Sequence, residues 1–262
     1  MRRTSTPAAA LTALAFAALA ALAALAGCKS APANDPILKL AAEESLATGK
    51  ELLAREKYAR ARPYFEHAFE TEPNSVAGRT ALLLAADTYY LEGGSSNFVQ
   101  AEAKYRDYLN RFPTSEQAAY VQFQIANSLA KRMEKPDRDQ SVTRKALEAY
   151  QELVRLHPTS EYAAQAKQQI EVVRANLAEH EFVVGRFYLR YGRPVGAVER
   201  FRYLLETYPE YPERDKVIYH LGLAYQESDQ LDASRETFER LKNEFPDSPY
   251  NDRVPELTQK AS

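Results

Sequence analysis

Residues 185–209, GRFYLRYGRPVGAVERFRYLLETYP, set the frame in which the rest of the chain is read. Gly185 stands twelve residues before Ala197, Phe201 follows four later, and Pro209 eight after that. The same step of four and then eight recurs in Ala61-Phe65-Pro73, Ala101-Tyr105-Pro113, Ala146-Tyr150-Pro158 and Ser234-Phe238-Pro246. Phe, Tyr and Trp make up only 11% of the chain, so an aromatic in all five frames is a pattern. Gly49 and Gly222 repeat the upstream glycine, and Tyr188 and Tyr225 follow Gly185 and Gly222 by three.

Each position has a physical reason. A glycine on one helix and a small residue on the next let two backbones approach closely, and the aromatic fills the wedge beside them. Proline has no amide hydrogen and marks the stop. Thr114-Ser115-Glu116-Gln117 and Thr159-Ser160-Glu161 then supply hydroxyls and acids that suit a helix start, with Thr114 and Gln117 spaced as a capping box. This is the tetratricopeptide pattern, whose helix pairs bury their apolar faces only by stacking. The expected fold is all-α: a helical repeat solenoid of about five helix pairs with one long central helix.

Proline-to-proline intervals of 40, 45, 51 and 37 locate the insertions. Gly93-Gly94-Ser95-Ser96 reads as a flexible insert between the helices of repeat 2, and Lys131 to Lys145 as a charged insert in repeat 3. Thr159 to Tyr191 has no proline, and Ala163, Ala166, Ile170, Val173, Leu177, His180, Val184 and Phe187 recur at alternating three and four. That predicts one helix of roughly 48 Å, with room for a kink near Ala178.

Residues 1–27 read as an export signal: Arg2 and Arg3, then an apolar run from Ala8 to Ala26, then Leu25-Ala26-Gly27-Cys28. Small residues before a cysteine suit a lipoprotein signal peptidase, so Cys28 is expected to carry diacylglycerol and an N-acyl chain. An uncleaved spanning helix is the alternative, weakened by the run's alanine content. Cys28 is the chain's one cysteine, which leaves no disulfide to form. Lys29 beside it, in place of Asp, fits outer-membrane sorting. Residues 28–38 are then a lipidated tether, 39–158 repeats 1–3, 159–250 repeats 4–5, and 251–262 a short tail. Past residue 27 the balance is 32 basic against 36 acidic residues, which gives no electrostatic case for nucleic acid.

The four histidines, 67, 157, 180 and 220, form no metal-ligand spacing, no G-x-S-x-G occurs, and Gly93-Gly94 lacks the lysine of a phosphate loop. No cofactor and no catalysis are expected. His157 and His180 read as structural. With 17 tyrosines and no tryptophan, Tyr89, Tyr90 and Tyr120 are candidates for a client groove, with Asn127 as a backbone-gripping amide; ordinary packing is the competing reading.

Arg138-Asp139-Gln140, Ser160-Glu161-Tyr162-Ala163, Leu177-Ala178-Glu179-His180-Glu181 and Tyr208-Pro209, with the lipobox and repeats, resemble the BamD family over residues 37–250. These are lipoproteins of the outer-membrane β-barrel assembly machine. The resemblance implies a non-enzymatic scaffold on the periplasmic face of the outer membrane. Its implied partners are the periplasmic domains of the barrel subunit BamA, unfolded barrel proteins and further assembly lipoproteins. It places Arg200 on the BamA side and makes Asp137, Arg138, Asp139 and Gln140 the family insert, contacting a partner or the adjoining repeat. Another repeat lipoprotein, serving pilus assembly or peptidoglycan enzymes, would share anchor and fold; a lipid-anchored hydrolase would need a clustered catalytic set.

Overall fold

The computed structural model describes residues 35–256. The expected signal peptide, Cys28, most of the tether and the end of the tail lie outside them. Residues 35–40 form a small unit of their own, a 3-10 turn over Pro36–Lys39 whose first free amide, at Ile37, donates to the Asp35 carboxylate at 2.9 Å.

From Ala41 onward the chain folds into ten α-helices: α1 (Ala42–Ala54), α2 (Tyr58–Thr71), α3 (Val76–Glu92), α4 (Ser95–Arg111), α5 (Ala118–Ala130), α6 (Ser141–Leu156), α7 (Glu161–Arg190), α8 (Pro194–Thr207), α9 (Arg214–Glu227) and α10 (Leu231–Glu244). A last 3-10 turn covers Asn251–Arg253. Each helix packs on the next along the chain, giving five pairs and an all-α repeat array with no strand among the described residues. Short connections return each helix along its predecessor.

The five frames are the pillars of this array. Ala61, Ala101, Ala146, Ala197 and Ser234 are fully buried, and so are Phe65, Tyr105, Tyr150 and Phe201, with Phe238 nearly so. Repeats 1, 4 and 5 pair a phenylalanine with a glycine. A Cβ built on Gly49, Gly185 or Gly222 would come within 2.6 Å of the ring of Phe65, Phe201 or Phe238, so these sites hold nothing larger without repacking. The glycine thus makes room for the ring of its own pair, a closer fit than backbone approach alone. Repeats 2 and 3 solve the same problem with tyrosines whose hydroxyls reach back to the first helix, Tyr105 to Asp87 and Tyr150 to Asn127, each at 2.6 Å.

The prolines end the second helices in one geometry. α2, α4, α6, α8 and α10 all stop two residues before Pro73, Pro113, Pro158, Pro209 and Pro246. The intervening Glu72, Phe112, His157, Tyr208 and Phe245 share φ between −124° and −139° and ψ between 56° and 72°. A residue before proline is pushed out of the helical region by the ring, which accounts for the sharing. Ser75 and Ser160 cap the following helices through Gly78 and Tyr162 amides. At the third such start Ser115, not Thr114, accepts from the Gln117 amide, at 3.1 Å.

Two insertions differ from expectation. Ser95 and Ser96 are the first turn of α4, so the repeat-2 connection is only Gly93-Gly94, at φ 75° and 88°, where glycine is needed. The extra length lies in α3 and α4, of 17 residues each. The repeat-3 insert is residues 131–140, since Ser141 to Lys145 already belong to α6. The long helix is present as α7, of 30 residues, about 45 Å, unbroken through Ala178. Its apolar stripe holds from Ala163 to Leu177, but Phe187 at its end is 55% exposed.

Candidate interaction surface

The middle of α7 is a polar joint. From Asn176 to Glu181 four side chains each reach a different neighbour. The Asn176 amide donates to the Glu134 carbonyl at 3.4 Å, and the His180 Nδ1–H to the Pro136 carbonyl at 2.6 Å. Both bonds fix the repeat-3 insert. Glu179 accepts from the Tyr211 hydroxyl and lies 3.6 Å from Lys216 Nζ, tying α7 to the turn before α9 and to α9 itself. Glu181, buried, accepts from Arg200 of α8 at 2.9 Å.

The partner-facing candidates therefore hang on consecutive residues of one helix. The Glu181 carboxylate holds the Arg200 guanidinium above its ordinary pKa, while part of the side chain stays open to solvent. In the insert, Gln140 is buried: its amide donates to the Lys135 and Arg138 carbonyls at 2.8 and 3.1 Å and accepts from Thr143 at 2.8 Å. Asp139 accepts from the Ser141 amide and hydroxyl, and those bonds draw its pKa below the usual range. Asp137 and Arg138 are the exposed pair, 3.9 Å apart. The insert is thus a braced loop against the adjoining repeat, showing two charges outward.

The tyrosine candidates fall elsewhere. Tyr120 donates to Asp87 at 2.8 Å and accepts from Gln124 at 3.0 Å; Gln124 accepts from Asn127 at 2.8 Å, and Asn127 from Tyr150. This chain of bonds stitches repeats 2 and 3 together and occupies the polar atoms of Tyr120 and Asn127. Burial raises the Asp87 pKa, opposed by the two tyrosine hydroxyls, and burial then the Asp87 charge raise those of Tyr105 and Tyr120. Tyr89 lies under the Arg62 guanidinium at 3.9 Å, and Tyr90 rests 5.7 Å from Phe98. Both are half-buried.

Sequence reasoning missed the open clefts. Two adjoining ones, of about 300 and 610 Å³, share Val76 and Thr80 and run from α1 across α3 to the start of α5. Val76 is 72% exposed between them. A third, of about 860 Å³, lies between α7 and α9 and includes Arg186, Phe187, Arg190 and Tyr191. The doublets Arg186-Phe187 and Arg190-Tyr191, four residues apart, carry that signal in the sequence. Among the described residues there is no cluster of metal-ligand type and no helix long and apolar enough to cross a membrane.

The family profiles agree with this architecture. A family profile described as outer membrane lipoprotein (YfiO) matches residues 40–228, and a tetratricopeptide profile matches 216–248. A Caulobacter vibrioides protein named outer membrane protein assembly factor BamD is 27% identical over 68% of this chain and 58% of its own length, under two thirds of it. Proteins of the same name from Rickettsia prowazekii and Neisseria gonorrhoeae are each 26% identical, over 86% and 79% of this chain and 88% and 80% of their own. The TPR2AB domain of yeast Sti1, solved in a pHSP90 complex, matches at 15% identity and a TM-score of 0.44, covering 80% of each chain. The relatives bear assembly-factor names. Matched from its first helix through α9, with the joint at Asn176–Glu181 inside the matched span, the chain belongs to the YfiO family of outer membrane lipoproteins.

Proposed function

We propose that this chain is a lipid-anchored scaffold on the periplasmic face of the outer membrane. It holds the barrel subunit BamA through repeats 4–5 while repeats 1–3 receive unfolded barrel proteins. The observation that carries the reading is the family match across residues 40–228, which spans both halves of the array. Cys28, outside the described residues, would bear the diacylglycerol and N-acyl chains, whose buried methylenes at roughly 0.8 kcal/mol each hold the domain at the bilayer. Proximity to one surface then raises the effective concentration of both partners.

Arg200 supports the docking half. Its guanidinium is preoriented by Glu181 yet keeps an open edge, the state in which an arginine can complete a carboxylate pair on a partner. Asp137 and Arg138 on the braced insert are placed to join the same or a second contact. For clients, the exposed Val76 lies between the clefts on either side of α3, with Tyr89 and Tyr90 farther along the same helix; Tyr120 bonds that helix through Asp87, and Asn127 joins it through Gln124. Pull-down of the BamA periplasmic region by the full chain tests the proposal. A complex is expected, weakened about tenfold or more, roughly 1.4 kcal/mol, by Arg200→Glu with unchanged circular dichroism. Folded chain that retains no BamA would overturn it.

A further inference from the structure

The cleft between α7 and α9 is formed by the first helices of repeats 4 and 5. Leu223 and His220 contribute from α9, Phe187 from α7 and Tyr191 from the residue that ends it. Phe187 and Tyr191 keep 55% and 63% of their surface open while their rings lie 4.5 Å apart. Two adjacent aromatics held in the open are costly to leave hydrated and are typical of recognition sites. Arg186 and Arg190 stand one residue before each ring. Neither has an ion pair among the described residues, whereas Arg174, Arg200 and Arg214 nearby are paired with Glu210, Glu181 and Glu244. Glu227 is the single acidic lining residue, and burial pushes the His220 pKa below its ordinary value.

We propose that this cleft binds an acidic peptide segment bearing an aromatic or branched aliphatic side chain. That side chain lodges against Phe187, Tyr191 and Leu223, and flanking carboxylates pair with Arg186 and Arg190. Guanidinium forks suit carboxylates bidentately, which gives direction as well as attraction. The site is a recess, so a protruding side chain fills it where a flat bilayer surface would bridge it. Arg200 does not line the cleft, so the inference goes beyond the docking role given to that residue and stands without it.

The test is fluorescence anisotropy with the full chain in detergent. The probes are a short labelled peptide alternating Phe and Leu with Asp and Glu, its lysine-for-acid counterpart, and short-chain phosphatidylglycerol. Saturable binding of the acidic peptide is expected, with the basic counterpart at least tenfold weaker. Arg186→Glu combined with Arg190→Glu should weaken the acidic peptide at least tenfold, and Phe187→Ser with Tyr191→Ser should do the same without charge change. All four positions are exposed or half-exposed, so circular dichroism should be unchanged. No binding of the acidic peptide, equal binding by the arginine variant, or binding of the lipid in place of the peptide would overturn the proposal.

Discussion

At the scale of single residues, the array is held by how each pair fills one wedge. A phenylalanine against a glycine needs no polar partner, and repeats 1, 4 and 5 use it. A tyrosine in the same wedge must satisfy its hydroxyl, so repeats 2 and 3 carry Asp87 and Asn127 on the facing helix. The cost falls on Asp87, whose carboxylate is buried and whose pKa is raised by that burial. A raised carboxylate is fully stabilising below its ordinary pKa and loses that contribution as pH rises through the folded value. Asp87→Asn keeps an acceptor oxygen for both tyrosines and removes the titration. Paired denaturant titrations should find the parent more favoured relative to the variant near about pH 4, and less favoured near about pH 7. A stability difference that does not change with pH would contradict this assignment. The frames were legible because the small residue, aromatic and proline keep fixed spacing on one helix and its exit. The tyrosine partners were not. They lie 18 and 23 residues upstream, offsets that the insertions shift, so no single period finds them.

Among the elements, α7 and the insert behind it explain why residues 177–181 stand out. Leu177 and Ala178 are buried in the core, and Glu179, His180 and Glu181 each hold a different neighbour. The insert itself is locked by Gln140, whose three bonds satisfy two backbone carbonyls and a threonine hydroxyl. Gln140→Ala should cost about 1–3 kcal/mol, the usual penalty for stranding buried polar groups. Hydrogen exchange should speed up over residues 131–140 while α8 to α10 keep their protection. Unchanged exchange in the insert would show that Gln140 is not its lock. The helix was readable from its unbroken three-and-four rhythm and absence of proline. The rhythm gives the stripe but not where the covering neighbour ends, so it did not foresee that Phe187 is exposed. Gly93-Gly94-Ser95-Ser96 was misread because its composition serves a loose loop as well as a tight turn followed by a serine-rich helix start.

For the whole molecule, the core is three clusters laid along the array: one around Phe65, one around Tyr105, and the largest from Ala126 to Leu241 around Phe201. In such arrays each unit is stabilised chiefly by its neighbours. Phe201→Ala should therefore cost about 3–5 kcal/mol and strip exchange protection from repeats 3–5. Phe65→Ala should loosen repeats 1 and 2 and leave α8 to α10 protected. Equal loss everywhere in both variants would mean one cooperative block instead of stacked pairs. At this scale the site was legible only in outline. Arg200 and the insert came from resemblance to a family, and the clefts depend on which helix faces stay uncovered, which a linear pattern does not state. The central claim, that the array serves barrel assembly at the outer membrane, is tested most directly by depleting the chain in its own cells and quantifying outer-membrane barrel proteins. The account predicts a broad fall in folded barrels, restored by the parent chain; barrel levels that stay unchanged after full depletion would contradict it.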